Sequence, residues 1–472
     1  MKILMCIIFY PRGGSAQVAR YLSRALIAQG HEVHLVTGTL LDGDPEHDAR
    51  VFYEDIPLTG VDYTDAWRGF ERGKDPISGD WDVPFHPSYE DKSGVPDRAF
   101  FRITPAEYAA LLRCWTRVLK TVSESFQPDV LHLHHLSYAH LAAADVFPSV
   151  PMLTQLHGTE IKMLEQLDGL EKASDAEKEL HGFWRSVLTY VFDVANHVAA
   201  ISPDVLQRAI AHFTVNERDI STIQNGVDTS LFQPSDWSVG QKLEHLRQLL
   251  IVDPQGWDES GNPGSIRYPE SDIEKFTDQS DNLMPLAMFV GRFLEFKRVP
   301  LLLQAVSLVN QSFGNSEEPP FNLLIWGGMP GEWEGEHPHT LARDLDLPNV
   351  FFSGWLPHKI LSQGLNIADI LVAPSYNEPF GQVYLEAMAT RIPVIATRSG
   401  GPLAFVVDEG PHANGWFCNV DDVESLAQVM KSALTDEPER RRRGTNAMAL
   451  VRQEYDWMEI AKLYVRVYEE IL

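Results

Sequence analysis

The chain has 472 residues, 44% hydrophobic and 22% charged, a globular composition long enough for two or three domains. A formal net charge of −27 argues against a nucleic-acid partner, which leaves a basic footprint, and against docking on an anionic membrane. No apolar run reaches the roughly 18–20 residues of a membrane span, and Cys6, Cys114 and Cys418 lie far apart without metal-ligand spacing, as in a reducing cytosol.

A cytoplasmic protein with no stable membrane insertion is therefore expected. The apolar start Ile3–Tyr10 reads as a first buried strand rather than a signal core, being short, followed by Pro11-Arg12-Gly13-Gly14, and without a small-residue cleavage site. Val18, Tyr21, Leu22, Ala25 and Leu26 recur at helical spacing, Gly30 can close that helix, and Val33–Thr37 is the next strand. Short β-branched runs at Val130–His134, Met152–Leu156, His197–Ile201 and Ile220–Gln224 then alternate with helical segments. A second series runs through Leu286–Val290, Leu323–Trp326, Val350–Ser353, Ile370–Pro374 and Val394–Thr397. Alternation of this kind predicts two α/β, doubly wound parallel sheets, which bind ligands outside the strand carboxyl ends.

Two segments break the alternation. Residues 42–102 carry fifteen acids against seven bases and read as a long insertion. Their aromatics Tyr63, Trp67, Trp81, Phe85 and Tyr89 either anchor that loop or form an acceptor wall. Residues 235–285, with ten acids against four bases and few apolar residues, read as a surface insertion or linker. Arg440–Arg443 follows Asp436, Glu437 and Glu439 at a helix start and reads as a solvated helical face. The last segment places Ile460, Leu463, Tyr464, Val467, Tyr468 and Ile471 on one helical face.

The most informative stretch is Glu378-Pro379-Phe380-Gly381-Gln382-Val383-Tyr384-Leu385-Glu386. It lies where the strand Ile370–Pro374 gives way to a helix, with Pro379 expected in the first helical turn. Gly381 permits close backbone approach, and the freed amides near Phe380, Gly381 and Gln382 suit an anion or sugar hydroxyls. Two carboxylates bracket the turn, one at its mouth and one about two turns in. The run continues Glu386-Ala387-Met388-Ala389, Ile392-Pro393-Val394-Ile395-Ala396 and Gly400-Gly401-Pro402.

This pattern resembles the Glu-x7-Glu signature of the family 4 retaining glycosyltransferases. The resemblance spans both domains, about 380 residues by the extent of the matched runs, and implies the GT-B fold, two Rossmann-like domains facing a shared cleft. It implies residues 1–215 as the acceptor-side domain (insertion 42–102), completed by the closing helix 456–472. Residues 216–455 are then the nucleotide-sugar domain (insertion 235–285). By residue-for-residue match, Arg292 and Lys297 contact the donor diphosphate, Glu386 the ribose hydroxyls, and Glu378 the donor sugar. Phe380, Gly381, Gln382, Val383, Gly291, Gly328 and Trp355 line the donor site, with Trp355 near the base or on a hydrophobic rim. In similar enzymes a histidine at the place of His157 reaches the donor, a structural histidine being the alternative. Gly13 and Gly14 resemble the loop near phosphate and acceptor, with Arg12 as an extra anion contact.

The histidines His132, His134, His135 and His140 lack a completing cysteine or carboxylate, so no metal or other cofactor is expected. Arg391 stands where the family has glycine, and Ala404 where an acid follows Gly-Gly-Pro. The implied reaction is retaining transfer from a nucleotide-diphosphate sugar, UDP- rather than GDP-linked, to a small-molecule hydroxyl such as a cyclitol, sugar or natural-product core. Arg98, Arg102, Arg113, Arg117 and Lys120 keep a lipid-linked acceptor open. The rivals are a nucleotide-sugar epimerase or hydrolase on the same fold, and a catalytically silent subunit.

Overall fold

Strands buried on both faces must be apolar throughout, and the chain has two sets of them, each forming one parallel sheet. The computed structural model describes residues 1–89, 95–168, 174–214, 219–313 and 320–472. The chain divides into residues 1–226 with 457–472, and residues 227–456.

The first unit contains β1 (Lys2–Ile7), β2 (Glu32–Thr39), β3 (Leu58–Asp62), β4 (Val130–His134), β5 (Met152–Leu156), β6 (His197–Ala200) and β7 (Ile220–Thr222). Their order is β3-β2-β1-β4-β5-β6-β7. Met5 lies in register with Leu35 on one side and His132 on the other, so β1 and β4 are adjacent at the point where the winding reverses. Intervening helices start where sequence dictates. Thr104 with Glu107, and Ser174 with Glu177, close reciprocal capping boxes that satisfy the first amides of their helices. The last helix, Trp457–Ile471, buries Trp457, Ile460, Tyr464 and Tyr468, and Trp457 stacks on Tyr21 of the first helix, Gly13–Ala28.

The second unit contains β8 (Leu286–Gly291), β9 (Asn322–Gly327), β10 (Val350–Gly354), β11 (Ile370–Ala373), β12 (Val394–Thr397) and β13 (Gly415–Cys418), ordered β10-β9-β8-β11-β12-β13. Here the winding reverses between β8 and β11, which pair through Ile370 with Ala287 and Leu371 with Met288. Ligands of doubly wound sheets bind outside the strand carboxyl ends at such a reversal.

Four expectations need correction. The boundary at 215/216 cuts off β7, which hydrogen-bonds to β6 and so belongs to the first sheet. Residues 42–102 are not simply an inserted loop, because they supply edge strand β3 and the helix Thr64–Glu71. Their aromatics anchor them: Tyr63, Phe85 and Tyr89 are buried, Tyr63 Oη donating to Ile8 O and Tyr89 Oη to Leu136 O, both at 2.7 Å. Residues 235–285 are integral as well. Leu246, Leu249, Leu250, Trp257, Ile266 and Phe276 are buried, although Val239 and Val252 stay exposed, and Gln255 bridges to Gly354 on edge strand β10. Edge strand β13 is the fourth, a four-residue piece paired with β12 that the hydrophobic pattern did not announce.

The basic run also divides. Arg441 and Arg442 pair on the surface with Glu437 and Glu439, but Arg440 is buried and donates to Ala433 O and Leu434 O at the end of the preceding helix. Among the described residues no helix is long and apolar enough to cross a membrane.

Candidate functional site

In the second unit the two loops at the reversal point are tied together. After β8 come Arg292, Phe293 and a short 3-10 turn, Glu295–Lys297. After β11 come Ser375, Tyr376, Asn377 and Glu378. Tyr376 N donates to Phe296 O at 2.7 Å, which holds the two loops in register. Lys297 Nζ then lies 2.6 Å from Glu378 Oε2, with both side chains largely buried. A Cβ on Gly291 would crowd the Phe289 ring at 3.2 Å and would only touch Lys297 Cε, at 3.6 Å. Arg292 is more exposed, and its Nη1 is 3.6 Å from Glu332 Oε1, beyond hydrogen-bond length.

The Glu378 loop is shaped by glycine. A Cβ on Gly401 would overlap the Phe380 backbone, and one on Gly400 would overlap the backbone of Glu378, while Gly401 N donates to Glu378 O at 2.7 Å. The run Gly400-Gly401 after β12 thus sets the height of Glu378. Gly381, at φ +90°, is the N-cap of the helix Gln382–Ala389, which has no side-chain cap. Pro379 therefore precedes the helix instead of opening it, and Glu386 lies little more than one turn in. Phe380 is buried against Phe405; Gln382 and Val383 are half-buried on the first turn.

Glu386 is nearly fully buried, and its Oε1 is 2.8 Å from Nε2 of His358, the first residue of the helix His358–Leu365. Gly328, at φ +71°, presses on the Phe293 ring, and its carbonyl accepts from Trp257 Nε1 at 2.7 Å. Trp355, directly after β10, is about half exposed. Neither His358 nor Trp257 emerged from sequence. His358 carried one signal, its place just after Gly354-Trp355-Leu356-Pro357 at a strand-to-helix junction. Arg391 has φ +69°, the left-handed region where glycine is at ease, which accounts for the family glycine there.

The first unit gathers a different set. Gly13 and Gly14 open the helix Gly13–Ala28, and a Cβ at either would meet nothing within 4 Å. Arg12 does not offer a free anion contact. Its guanidinium forks onto the buried carboxylate of Asp97 at 2.8 and 2.9 Å and lies over the Tyr10 ring, tying residues 95–102 to the end of β1.

His157 follows β5, before Gly158 at φ +91° and the helix Thr159–Asp168. Its backbone N–H donates to Glu160 Oε1 at 2.8 Å, and its Nε2 is 2.9 Å from His134 Nδ1. His135, itself at φ +64°, packs on the His157 ring with centroids 4.3 Å apart and the planes tilted by 36°, and reaches Glu160 Oε2 at 3.2 Å. His132 bonds Tyr468 Oη and Gln155 Oε1, and His140 bonds Thr154 Oγ1. Burial pushes His132 and His140 down to about 3 and holds His134 and His157 well below the usual range, so these four are neutral. Burial raises Glu160, but the His135 hydrogen bond and charge outweigh it and leave the carboxyl low. Among the described residues no group of three or more His, Cys, Asp and Glu is arranged to hold a metal ion.

Of the bases from 98 to 120, Arg98 pairs with Asp75 and Glu107, Arg117 with Asp82 and Lys120 with Asp145. These charges are matched by the protein's own carboxylates, which weakens the ground for a lipid-headgroup acceptor.

Comparison with known proteins adds to this geometry. Residues 271–449 match the family described as Glycosyl transferases group 1, and residues 12–231 match Glycosyltransferase Family 4. The chain is 26% identical over 480 residues to glycogen synthase of Mycobacterium tuberculosis, covering 99% of this chain and 94% of that one. It is 23% identical over 478 residues to N-acetyl-alpha-D-glucosaminyl L-malate synthase of Bacillus anthracis, covering 100% and 98%. Anabaena Alr3699/HepE, solved in complex with UDP and glucose, aligns over 100% of both chains with a TM-score of 0.63 at 16% identity.

Proposed function

The chain belongs to the group 1 glycosyltransferases and has their GT-B type of fold, and from that premise we propose that it transfers a sugar from a UDP-sugar to a hydroxyl of a small soluble acceptor, with retention and without a metal. The observation that carries this reading is the Lys297–Glu378 pair at the β8/β11 reversal, with Arg292 beside it on the same loop.

Breaking the glycosidic bond to the nucleotide leaves positive charge on the sugar and adds negative charge to the diphosphate. Fixed cations beside the departing oxygens lower that barrier, because they need no reorganisation as charge develops. Lys297 has three donors, so it can keep Glu378 and still donate to phosphate. Arg292, loosely held by Glu332, can fork two phosphate oxygens. Together they supply the compensation that a divalent ion provides elsewhere.

Glu378 takes the hydroxyls of the donor sugar and Glu386 those of the ribose. We assign Glu378 no nucleophilic role, because one of its oxygens is committed to an ammonium at 2.6 Å. In the proposed reaction the acceptor attacks the face the nucleotide leaves, and the leaving phosphate takes the acceptor proton. His157, neutral in the first unit, is proposed as a hydrogen-bond donor to substrate; Gly13 and Gly14 leave space for an acceptor or phosphate group. Arg12 has no part in this proposal. A cytoplasmic location suits an enzyme using a cytosolic donor and free thiols.

The test is a panel of UDP-hexoses with cyclitols and sugars, following UDP release with and without acceptor and with and without EDTA, and the product's anomeric configuration by NMR. Acceptor-dependent release, indifferent to EDTA, with retained configuration is expected. UDP release without any acceptor means a hydrolase, and conversion of the donor to an isomeric UDP-sugar without release means an epimerase. No nucleotide binding at all leaves the silent subunit.

A further inference from the structure

A buried carboxylate needs partners, and Glu386 has one that the proposed chemistry does not use. Its Oε1 accepts from His358 Nε2 at 2.8 Å; because an ionised carboxylate only accepts, that nitrogen carries the proton. The histidine is itself held. It begins the helix that follows β10, and its ring meets the buried Phe232 ring at 64°, with centroids 4.9 Å apart. A glutamate on a helix can rotate its terminal carboxylate broadly. Fastening Oε1 to a ring wedged against Phe232 removes that freedom. Among the described residues Oε2 accepts from no other side chain, so its lone pairs are aimed by the histidine and available to an incoming donor.

We propose that His358 is a positioning residue for nucleotide recognition, fixing Oε1 of Glu386 so that Oε2 meets the ribose hydroxyls and a ribonucleoside diphosphate is preferred over its deoxy analogue. This rests on the ribose reading of Glu386 given above. It makes ribose selection depend on a residue 28 positions away on another helix. It also predicts how the loss is distributed. A helix-capping or packing role would weaken every ligand alike, whereas aiming Oε2 affects only ligands that carry the hydroxyls.

The experiment is calorimetric titration of the full chain with UDP and with 2′,3′-dideoxy-UDP. The native protein should bind UDP about tenfold or more tighter, the worth of hydrogen bonds to a charged acceptor. His358→Ala should bring the two within about twofold, by weakening UDP while dideoxy-UDP is unchanged. His358→Gln, which returns an N–H near the Nε2 position, should restore most of the preference. His358→Phe keeps the ring against Phe232 without the donor and should behave as His358→Ala, which covers the case in which the alanine variant does not fold. A full native preference in His358→Ala and His358→Phe, or an equal loss for both ligands, overturns the proposal while leaving the ribose reading intact. If the native protein itself does not distinguish the two ligands, the Glu386 reading falls first.

Discussion

The two sheets place their candidate residues at the same topological position, in loops after the strand carboxyl ends at a winding reversal, yet the two loop sets differ in charge. In the first unit the charged groups of the loops after β1 and β5 are paired within the unit. Arg12 is neutralised by Asp97, and burial keeps His132, His134, His140 and His157 uncharged. In the second, the loop after β8 carries three cations, Lys297 held by Glu378 at 2.6 Å, Arg298 held by Asp421 at 2.7 Å, and Arg292 only loosely associated with Glu332. One scaffold thus offers a paired arginine beside neutral histidines in one copy, and in the other a lysine–glutamate pair beside an arginine held only loosely. Glycine is used differently too. Gly400 and Gly401 are filled against the Glu378 loop, whereas Gly13 and Gly14 border open space.

The largest test of this contrast is Lys297→Ala. Removing a cation from the developing diphosphate charge should lower kcat/KM by about a thousandfold or more. Glu378 left without its ammonium should cost ~1–3 kcal/mol, read as a modest fall in the melting midpoint. Activity within tenfold of native would move the charge-compensating role elsewhere. Gly401→Ala should come next, since its Cβ would strike Phe380 backbone rather than a movable side chain. Destabilisation of about 2–4 kcal/mol is expected, together with weakened donor binding because Glu378 is displaced; a stable, fully active variant would show that the loop is not held by this contact.

The third test is acid. His86, His132 and His140 are pushed down to about 3, in each case chiefly by burial, whereas His337 in the second unit reaches about 4. The unfolded chain takes up protons at these sites from about pH 6.5 downward, and the native chain does not. Their stabilisation is therefore fully present above about pH 6.5 and is lost as pH falls towards 3, at about 1.4 kcal/mol per histidine per pH unit. The melting midpoint should be flat from pH 7 to 8 and fall below about pH 6. Hydrogen exchange should show the first sheet loosening before the second; equal protection in both sheets at pH 5 would deny the histidine cluster this role. The smallest effect is expected from Gly14→Ala, which meets nothing and keeps ordinary backbone angles, so stability should stay within about 0.5 kcal/mol of native.

Much of the fold was legible because central parallel strands are buried on both faces and must read as apolar runs. Leu286–Val290 and Ile370–Pro374 were located within a residue or so of β8 and β11. Two of the edge strands, β3 and β13, are not legible for the converse reason: β3 reads Leu-Thr-Gly-Val-Asp and is partly exposed, and β13 leaves Trp416 and Phe417 half-buried. The acidic segment 235–285 reads as dispensable because its apolar residues are sparse, and only packing shows that six of them, Trp257 and Phe276 included, are buried.

Sequence alone determined the two α/β series, the glycine runs, and the glutamates, arginine and lysine that the family resemblance singles out. Those are local properties of spacing, backbone freedom and residue chemistry. The tertiary structure decided which charges meet. Lys297 reaches Glu378 across 81 positions because β8 and β11 are neighbours at the reversal, and Arg12 is tied to Asp97 across 85 because that segment folds back to β1. His358 finds Glu386 because β10 and β11 each feed a helix on the same sheet. A pairing energy of a few kcal/mol depends on separations of ångströms, and those are set by strand order, which no residue carries by itself.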